Sequence, residues 1–196
     1  MYKGCIQLKS RPRIINTVNA VPVNHVARVV VAATLNPRSD GAHVVHVTAH
    51  PRLRMNEYLS MLEYYGYDTR EISYDDWKTK LDQFVTPGTV KDQEQLALMP
   101  LYHFCMSDLP ATTRAPEMDD RNAVEILKRD AETWTGVDES AGYGITREDA
   151  GRLLGYLHGI HFIEAPTGKG RQFPHVKPEV VQARLDSAAG GRGGGS

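Results

Sequence analysis

The spacing of apolar and polar positions divides the chain into an extended, β-branched beginning and a longer, mainly helical remainder. From Ile14 to Val23 the run IINTVNAVPV is β-branched, and Pro22 steers Val21 away from helical angles, so an extended segment leads to Val23. Asn24 is then placed to cap a helix whose apolar residues Val26, Ala27, Val30, Val31, Ala33 and Leu35 occupy most of its circumference. Such a helix is expected to be buried on more than one side, and Asn36-Pro37 ends it because proline cannot continue the ladder. After a turn at Arg38-Ser-Asp-Gly, the short run Ala42 to Ala49 (AHVVHVTA) has the β-branched character of a core strand. Strand, buried helix and strand in succession mark an α/β unit.

From about Arg54 the period changes. Asn56 to Tyr65 carries Leu59, Leu62 and Tyr65 at helical spacing and stops at Gly66, where a left-handed cap is expected. Ser73 opens another helix, with Asp76 as an acidic capping-box partner and Trp77, Leu81 and Phe84 as its inner stripe. A third helical stretch is predicted over Lys91 to Cys105, then a loop through Pro110, Thr112, Thr113 and Pro116, then a short helix capped by Asp119 or Asp120 and running to Lys128. Thr146 and Asp149 form the last capping box, with Ala150, Leu153, Leu154 and Leu157 as the apolar face of a helix ending near Gly159. Beyond Pro166 the chain is basic and irregular, and Ala188 to Ser196 is low-complexity glycine. Residues 168–196 are therefore expected to form a flexible tail.

Composition narrows the chemistry. With 23 Lys and Arg against 24 Asp and Glu in 196 residues, the formal net charge is −1, and the basic residues are interleaved with acidic ones. No concentrated basic surface for nucleic acid is expected. The longest clean apolar run, Val29 to Ala33, is far below the roughly 18 residues that a membrane span needs, which predicts a cytoplasmic protein without a membrane partner. Cys5 and Cys105 stand a hundred residues apart in no ligand spacing and read as reduced, buried thiols.

Motifs for chemistry are sparse. Gly168-Lys-Gly170 is a lone GxG with no strand before it and reads as a flexible loop rather than a phosphate cradle. Tyr74-Asp-Asp-Trp-Lys78 has the Tyr-x-x-x-Lys spacing of short-chain dehydrogenases, but it lies in a helix start already explained by capping, and its two aspartates would raise a tyrosine pKa. His43, His46 and His50 cluster near the predicted strand, yet strand geometry sends His43 and His46 to opposite faces and sets His46 and His50 about 13 Å apart. No carboxylate is spaced to complete a metal site there, and His103, His158 and His161 read as surface or core histidines, so no metal is expected. Asp119-Asp120 and Trp134-Thr-Gly-Val-Asp-Glu-Ser form the most distinctive polar stretch and read as caps and turns.

Longer runs carry a resemblance. Gly4-Cys-Ile-Gln-Leu, Asn16 to Ala33 (NTVNAVPVNHVARVVVAA), His50-Pro-Arg-Leu-Arg, Leu98-Met-Pro-Leu-Tyr-His-Phe, Asp108-Leu-Pro-Ala-Thr-Thr-Arg-Ala-Pro-Glu and Trp134 to Gly142 together resemble the fungal L-2-aminoadipate reductases over about Met1 to Thr167. The resemblance implies the C-terminal part of a thioester reductase domain of the extended short-chain dehydrogenase type. It implies residues 1–50 as the end of a Rossmann-like NAD(P)-binding domain and 51–167 as a helical substrate-binding subdomain. In that family a carrier-bound aminoadipyl thioester, held on phosphopantetheine, is released as the semialdehyde with NADPH in lysine biosynthesis. The glycine-rich cofactor loop and the catalytic Tyr-x-x-x-Lys are implied to lie outside the matched stretch, so the chain alone is expected to be inactive, with no catalytic residue of its own. Asn19, Pro22, Val23 and His25 are implied as substrate-cleft residues. Two other readings stand beside this one: a non-catalytic helical interaction module, and a segment of an adenylate-forming reductase acting on another carboxylic acid.

Overall fold

In a computed structural model of the protein, residues 1–37, 44–85 and 96–190 are described, the last three without their side chains. In chain order the elements are α1 (Tyr2–Leu8), β1 (Ser10–Pro12), β2 (Thr17–Val18), α2 (Val23–Leu35), β3 (Leu53–Arg54), α3 (Met55–Tyr64), β4 (Arg70–Ile72), α4 (Tyr74–Val85), α5 (Tyr102–Met106), α6 (Leu109–Thr112), α7 (Arg121–Asp130), α8 (Arg147–Gly159) and α9 (Pro178–Gly190). A 3-10 turn at Met99–Leu101 precedes α5, and a π-helical turn at Ala131–Thr135 continues α7. The chain forms two compact units and crosses between them four times. The first unit contains Met1–Ile14, Asn56–Thr112 and Thr146–Ser196, and the second contains Ile15–Met55 and Thr113–Ile145.

The first unit is built on Leu8, Trp77, Leu81, Leu96, Leu98 and Cys105, all buried. β1 and β4 pair in parallel, Ser10 opposite Arg70 and Pro12 opposite Ile72. The buried Arg11 guanidinium between them is held by Glu63 at 3.0 Å and by Glu71, so its charge does not enter the interior unpaired. Locally encoded ends are where the sequence puts them. Gly66 follows α3 with φ of 88°, the backbone a side chain resists. The Ser73 hydroxyl accepts from the Asp76 N–H at 3.1 Å ahead of α4, and Thr146 and Asp149 form a reciprocal capping box on α8.

Several expectations for this unit are corrected. Of the third helix predicted over Lys91 to Cys105, residues 91–95 lie outside the described residues, and the remainder is broken into the 3-10 turn and α5. Pro100 stands inside that turn and supplies no N–H to a continuous ladder. Phe84 and Leu153, assigned to inner stripes, are exposed. Residues 168–173, expected to belong to a flexible tail, are instead fastened to the end of α3. The Gly168 N–H donates to the Gly66 carbonyl at 2.8 Å, the Arg171 N–H donates to that of Tyr64 at 2.9 Å, and the Phe173 ring lies 5.6 Å from that of Tyr65. A Cβ on Gly170 would stand 2.2 Å from the Gly66 nitrogen, so the GxG permits two backbones to touch. α9 follows this strap, and residues 191–196 lie outside the described residues.

The second unit is organised by α2 against α7. Val29 and Ala32 pack with Ala123, Ile126 and Leu127, and Val45 and Val47 lie partly buried against the same cluster. β2 and β3 form a two-residue antiparallel pair. α2 begins one residue before the predicted cap: Pro22 is the N-cap residue, and its carbonyl accepts from the His25 and Val26 N–H groups at 3.0 and 3.2 Å, which leaves Asn24 inside the first turn. The turn predicted at Arg38-Ser-Asp-Gly and the first two residues of the strand predicted over Ala42 to Ala49 lie outside the described residues. From Val44 to Ala49 the predicted strand is not formed, because a strand exists only as part of a ladder and no described segment pairs with it. Its side chains still alternate. Val45 and Val47 face the apolar cluster, whereas His46 and Thr48 reach toward Asp119 and Asp120.

Candidate functional site

The first turns of α2 carry His25 and Arg28 into the polar part of the second unit. Three other segments complete it: 48–50, the start of α7, and the loop 139–143. His25 is only 4% exposed, with its ring edge-on to Tyr143 at 5.0 Å between centroids, and its Nδ1 has no hydrogen-bond partner. Burial lowers the His25 pKa. Glu139 acts in the opposite direction, and His50 and Arg28 add to the lowering. Asp120, at the N-cap position of α7, does not cap the helix with its side chain. Its carboxylate takes the His50 Nε2 and the Thr48 hydroxyl, and these two hydrogen bonds hold its pKa below the ordinary carboxylate value. His25, Thr48, His50, Asp120, Ser140 and Gly142 line a small cavity.

One turn along α2, Arg28 gathers a second set. It pairs with the fully buried Asp130 and donates from Nε to Glu139 at 2.7 Å. Asn36, at the other end of α2, donates to the same Asp130 carboxylate at 3.2 Å. The Arg28 contact depresses the Asp130 pKa most, with Thr135 and Asn36 adding to it. The distinctive Trp134 to Ser140 stretch is therefore more than caps and turns, since Glu139 and Thr135 are pinned to α2 by one guanidinium.

The residues implied as a cleft fall on one short segment without converging. The Asn19 Oδ1 accepts from the Ala49 N–H at 2.8 Å and so anchors the extended 44–49 segment. Pro22 supplies the capping carbonyl. Val23 is 82% exposed, while His25 points inward. Sequence spacing gave no carboxylate to accompany the histidines, but the fold brings Asp120 to His50 from 70 residues away and Asp119 to His46, whose Nδ1 lies 2.9 Å from the Asp119 carbonyl oxygen. His43 lies outside the described residues. Arg28 and Asp130 are likewise joined only by the fold. A lone arginine on an apolar helix and an aspartate at the end of α7 are the signal that the sequence carries for this pair.

The other candidate chemistries are answered by geometry. The Tyr74 hydroxyl accepts from the Leu109 N–H at 2.9 Å and lies 2.8 and 2.6 Å from the Cys105 and Ser107 carbonyl oxygens. Its pKa is raised, chiefly by burial, opposite to what proton donation requires, while the Lys78 ammonium sits 3.2 Å from Asp75. Among the described residues no group of three His, Cys, Asp or Glu side chains could hold a metal ion, and no helix is long and apolar enough to cross a membrane. A dinucleotide pyrophosphate needs backbone N–H groups opened toward it by glycines at a strand-to-helix turn. Here the space at Gly168 and Gly170 is filled by the backbone of Gly66, so this loop does not form such a cradle.

No protein-family model matches the chain. It is 51% identical over its whole length to the L-2-aminoadipate reductase large subunit of Penicillium chrysogenum and 46% identical over 99% of its length to the L-2-aminoadipate reductase of Schizosaccharomyces pombe. The chain belongs to the L-2-aminoadipate reductase family. It matches the C-terminal part of these relatives and spans 14% and 13% of their lengths. The relative from Saccharomyces cerevisiae is 44% identical over 97% of the chain. Among solved structures, the terminal R domain from the myxalamid PKS-NRPS biosynthetic pathway superposes with a TM-score of 0.55 at 20% identity, covering 84% of this chain and 38% of that one. The likeness shows the fold: this chain shares a mixed helix-and-sheet architecture with part of that terminal R domain.

Proposed function

We propose that this chain forms the substrate-side portion of the thioester reductase domain of an L-2-aminoadipate reductase, a cytoplasmic enzyme that releases a carrier-bound aminoadipyl thioester as the semialdehyde with NADPH. The observation that carries the reading is the 51% identity across the full length of the chain to a protein of that name. NADPH and the phosphopantetheine arm would be held by parts of such an enzyme that this chain does not supply. Its own residues form a floor. His25 is kept neutral by burial, with one ring nitrogen free, and beside it the His50–Asp120 pair is fixed by Thr48. A neutral, desolvated donor or acceptor suits an uncharged polar group such as the carbonyl or amides of an acylated arm. Asn19 fixes the neighbouring backbone, and the exposed Val23 and Pro22 offer apolar surface at the lip of that floor.

The test is a chimera in which this chain replaces the matching stretch of the Penicillium chrysogenum enzyme, assayed for NADPH oxidation with aminoadipate loaded on the carrier. Retained thioester reduction is expected, along with no turnover by the 196-residue chain alone. A chimera that still adenylates aminoadipate but does not reduce the thioester would overturn the assignment.

A further inference from the structure

The first unit contains a groove that the reductase reading leaves unused. α1, the end of α4 and the turn that follows α8 enclose about 910 Å³, within the range of small-molecule sites. One part of its wall is basic, with Lys3 and Lys9 from α1 and its end, and His158 and His161 from α8 and the turn beyond it. Another part is aromatic, with Phe84 42% and Phe162 47% exposed. The Lys3 ammonium stands 4.5 Å from the centre of the Phe162 ring, so charge and ring face already share one place. Among the described residues neither Lys3 nor Lys9 forms an ion pair, in a chain with more acids than bases. Glu164 is the one acid among the described lining residues.

The backbone of the same wall is unusual. Lys9 at φ 47° and His161 at φ 57° are the only non-glycine residues with positive φ among the described residues, and both line this groove. Glycine would take these left-handed positions at less cost, and residues held there against their preference gather where ligands bind. Here each instead brings a basic side chain to the lining.

We propose that the groove binds a nucleoside monophosphate, with its base against Phe84 and Phe162 and its phosphate on Lys3 and Lys9. A phosphate monoester carries about −1.5 to −2 charges at pH 7 and matches two ammonium groups. A base stacks on aromatic rings whatever its hydrogen-bonding edge, and takes both rings out of water. The Glu164 carboxylate accepts from ribose hydroxyls or from an exocyclic amino group. Inorganic phosphate would leave the rings wet and most of the volume empty, whereas an uncharged acyl chain would leave both lysines unmatched. Every residue of the groove belongs to the first unit, so the site is separate from the His25 floor and independent of the reductase assignment.

Titration of the 196-residue chain with adenosine monophosphate (AMP), followed by its amide nitrogen and proton resonances, tests the proposal. Saturable shifts at Lys3, Lys9, His161 and Phe162 are expected, with adenosine and inorganic phosphate each binding at least about tenfold more weakly, since each keeps only half of the recognition. Lys3→Ala combined with Lys9→Asn, whose side chain tolerates the left-handed backbone, should weaken AMP binding by at least about tenfold. Phe162→Ala, at an exposed position, should weaken AMP binding and leave that of inorganic phosphate unchanged. An absence of shifts up to about 10 mM AMP, above the millimolar affinity of a weak site, overturns the proposal. Shifts that centre outside the groove, an equal affinity for inorganic phosphate, or tighter binding of 4′-phosphopantetheine also overturn it, the last assigning the groove to a pantetheine arm. These four probes on the unaltered chain decide the matter even where a variant does not fold, and the thioester assay of the chimera has no bearing on it.

Discussion

His25 carries an energetic signature that solution measurements can read. A free histidine titrates near pH 6.5, and burial lowers the folded-state value. The unfolded chain therefore takes up a proton at a higher pH than the folded one. The contribution of His25 to stability is flat above about pH 6.5 and falls as the pH drops below it, by at most about 1.4 kcal/mol per pH unit for a single proton. Asp120 is shifted in the same direction, by its hydrogen bonds to His50 and Thr48, so its contribution is present above about pH 4, the ordinary carboxylate range, and disappears under more acid conditions. His25→Phe, which keeps an aromatic edge against Tyr143 and removes the unpaired nitrogen, is expected to flatten the melting temperature between pH 6.5 and 5 and leave the loss under pH 4 in place. Melting curves across that range check it, and an unaltered slope would show that another group titrates there.

Among the elements, those with local instructions are the ones that sequence reading finds. The Thr146 and Asp149 box, the Ser73 and Asp76 start and the left-handed Gly66 depend on residues within four positions of each other, and all three stand where expected. Thr146→Ala removes the acceptor of the Asp149 N–H and should cost about 1 kcal/mol, with a fall in melting temperature of about 2–4 °C. Thermal unfolding monitored by circular dichroism measures it, and Thr146→Ser should restore most of the loss. What depends on distant partners was not legible. α1 is not legible because its packing rests on Leu98, whose side chain occupies the notch at Gly4, 2.2 Å from where a Cβ would stand. The Gly168-Lys-Gly170 strap is not legible because its partner is the backbone of Gly66, a hundred residues earlier. The strand predicted over Ala42 to Ala49 keeps its alternating pattern from Val44 onward but is not formed, for want of a second strand among the described residues. The same rule explains the candidate site: His25 came from the resemblance, but Asp120, Asp130 and Glu139 join it only through folding.

For the whole molecule, the division into two units predicts unequal resistance to acid. His25, Asp120 and Asp130 all lie in the second unit, whereas Trp77 is buried in the first. With Trp134→Phe, Trp77 becomes the sole tryptophan. At about pH 5 the amides of α2 and α7 should exchange faster than at pH 7.5 after correction for intrinsic rates, while the Trp77 emission maximum stays at its native wavelength. A simultaneous shift of both signals would show that the units melt together.

The four crossings also set an order in time. A ribosome finishes the second unit when Ile145 has left the exit tunnel, but the first unit still lacks α8 and the strap that closes on Gly66. The polar floor around His25 can therefore consolidate during synthesis, and the unit that contains α1 is completed after the second unit.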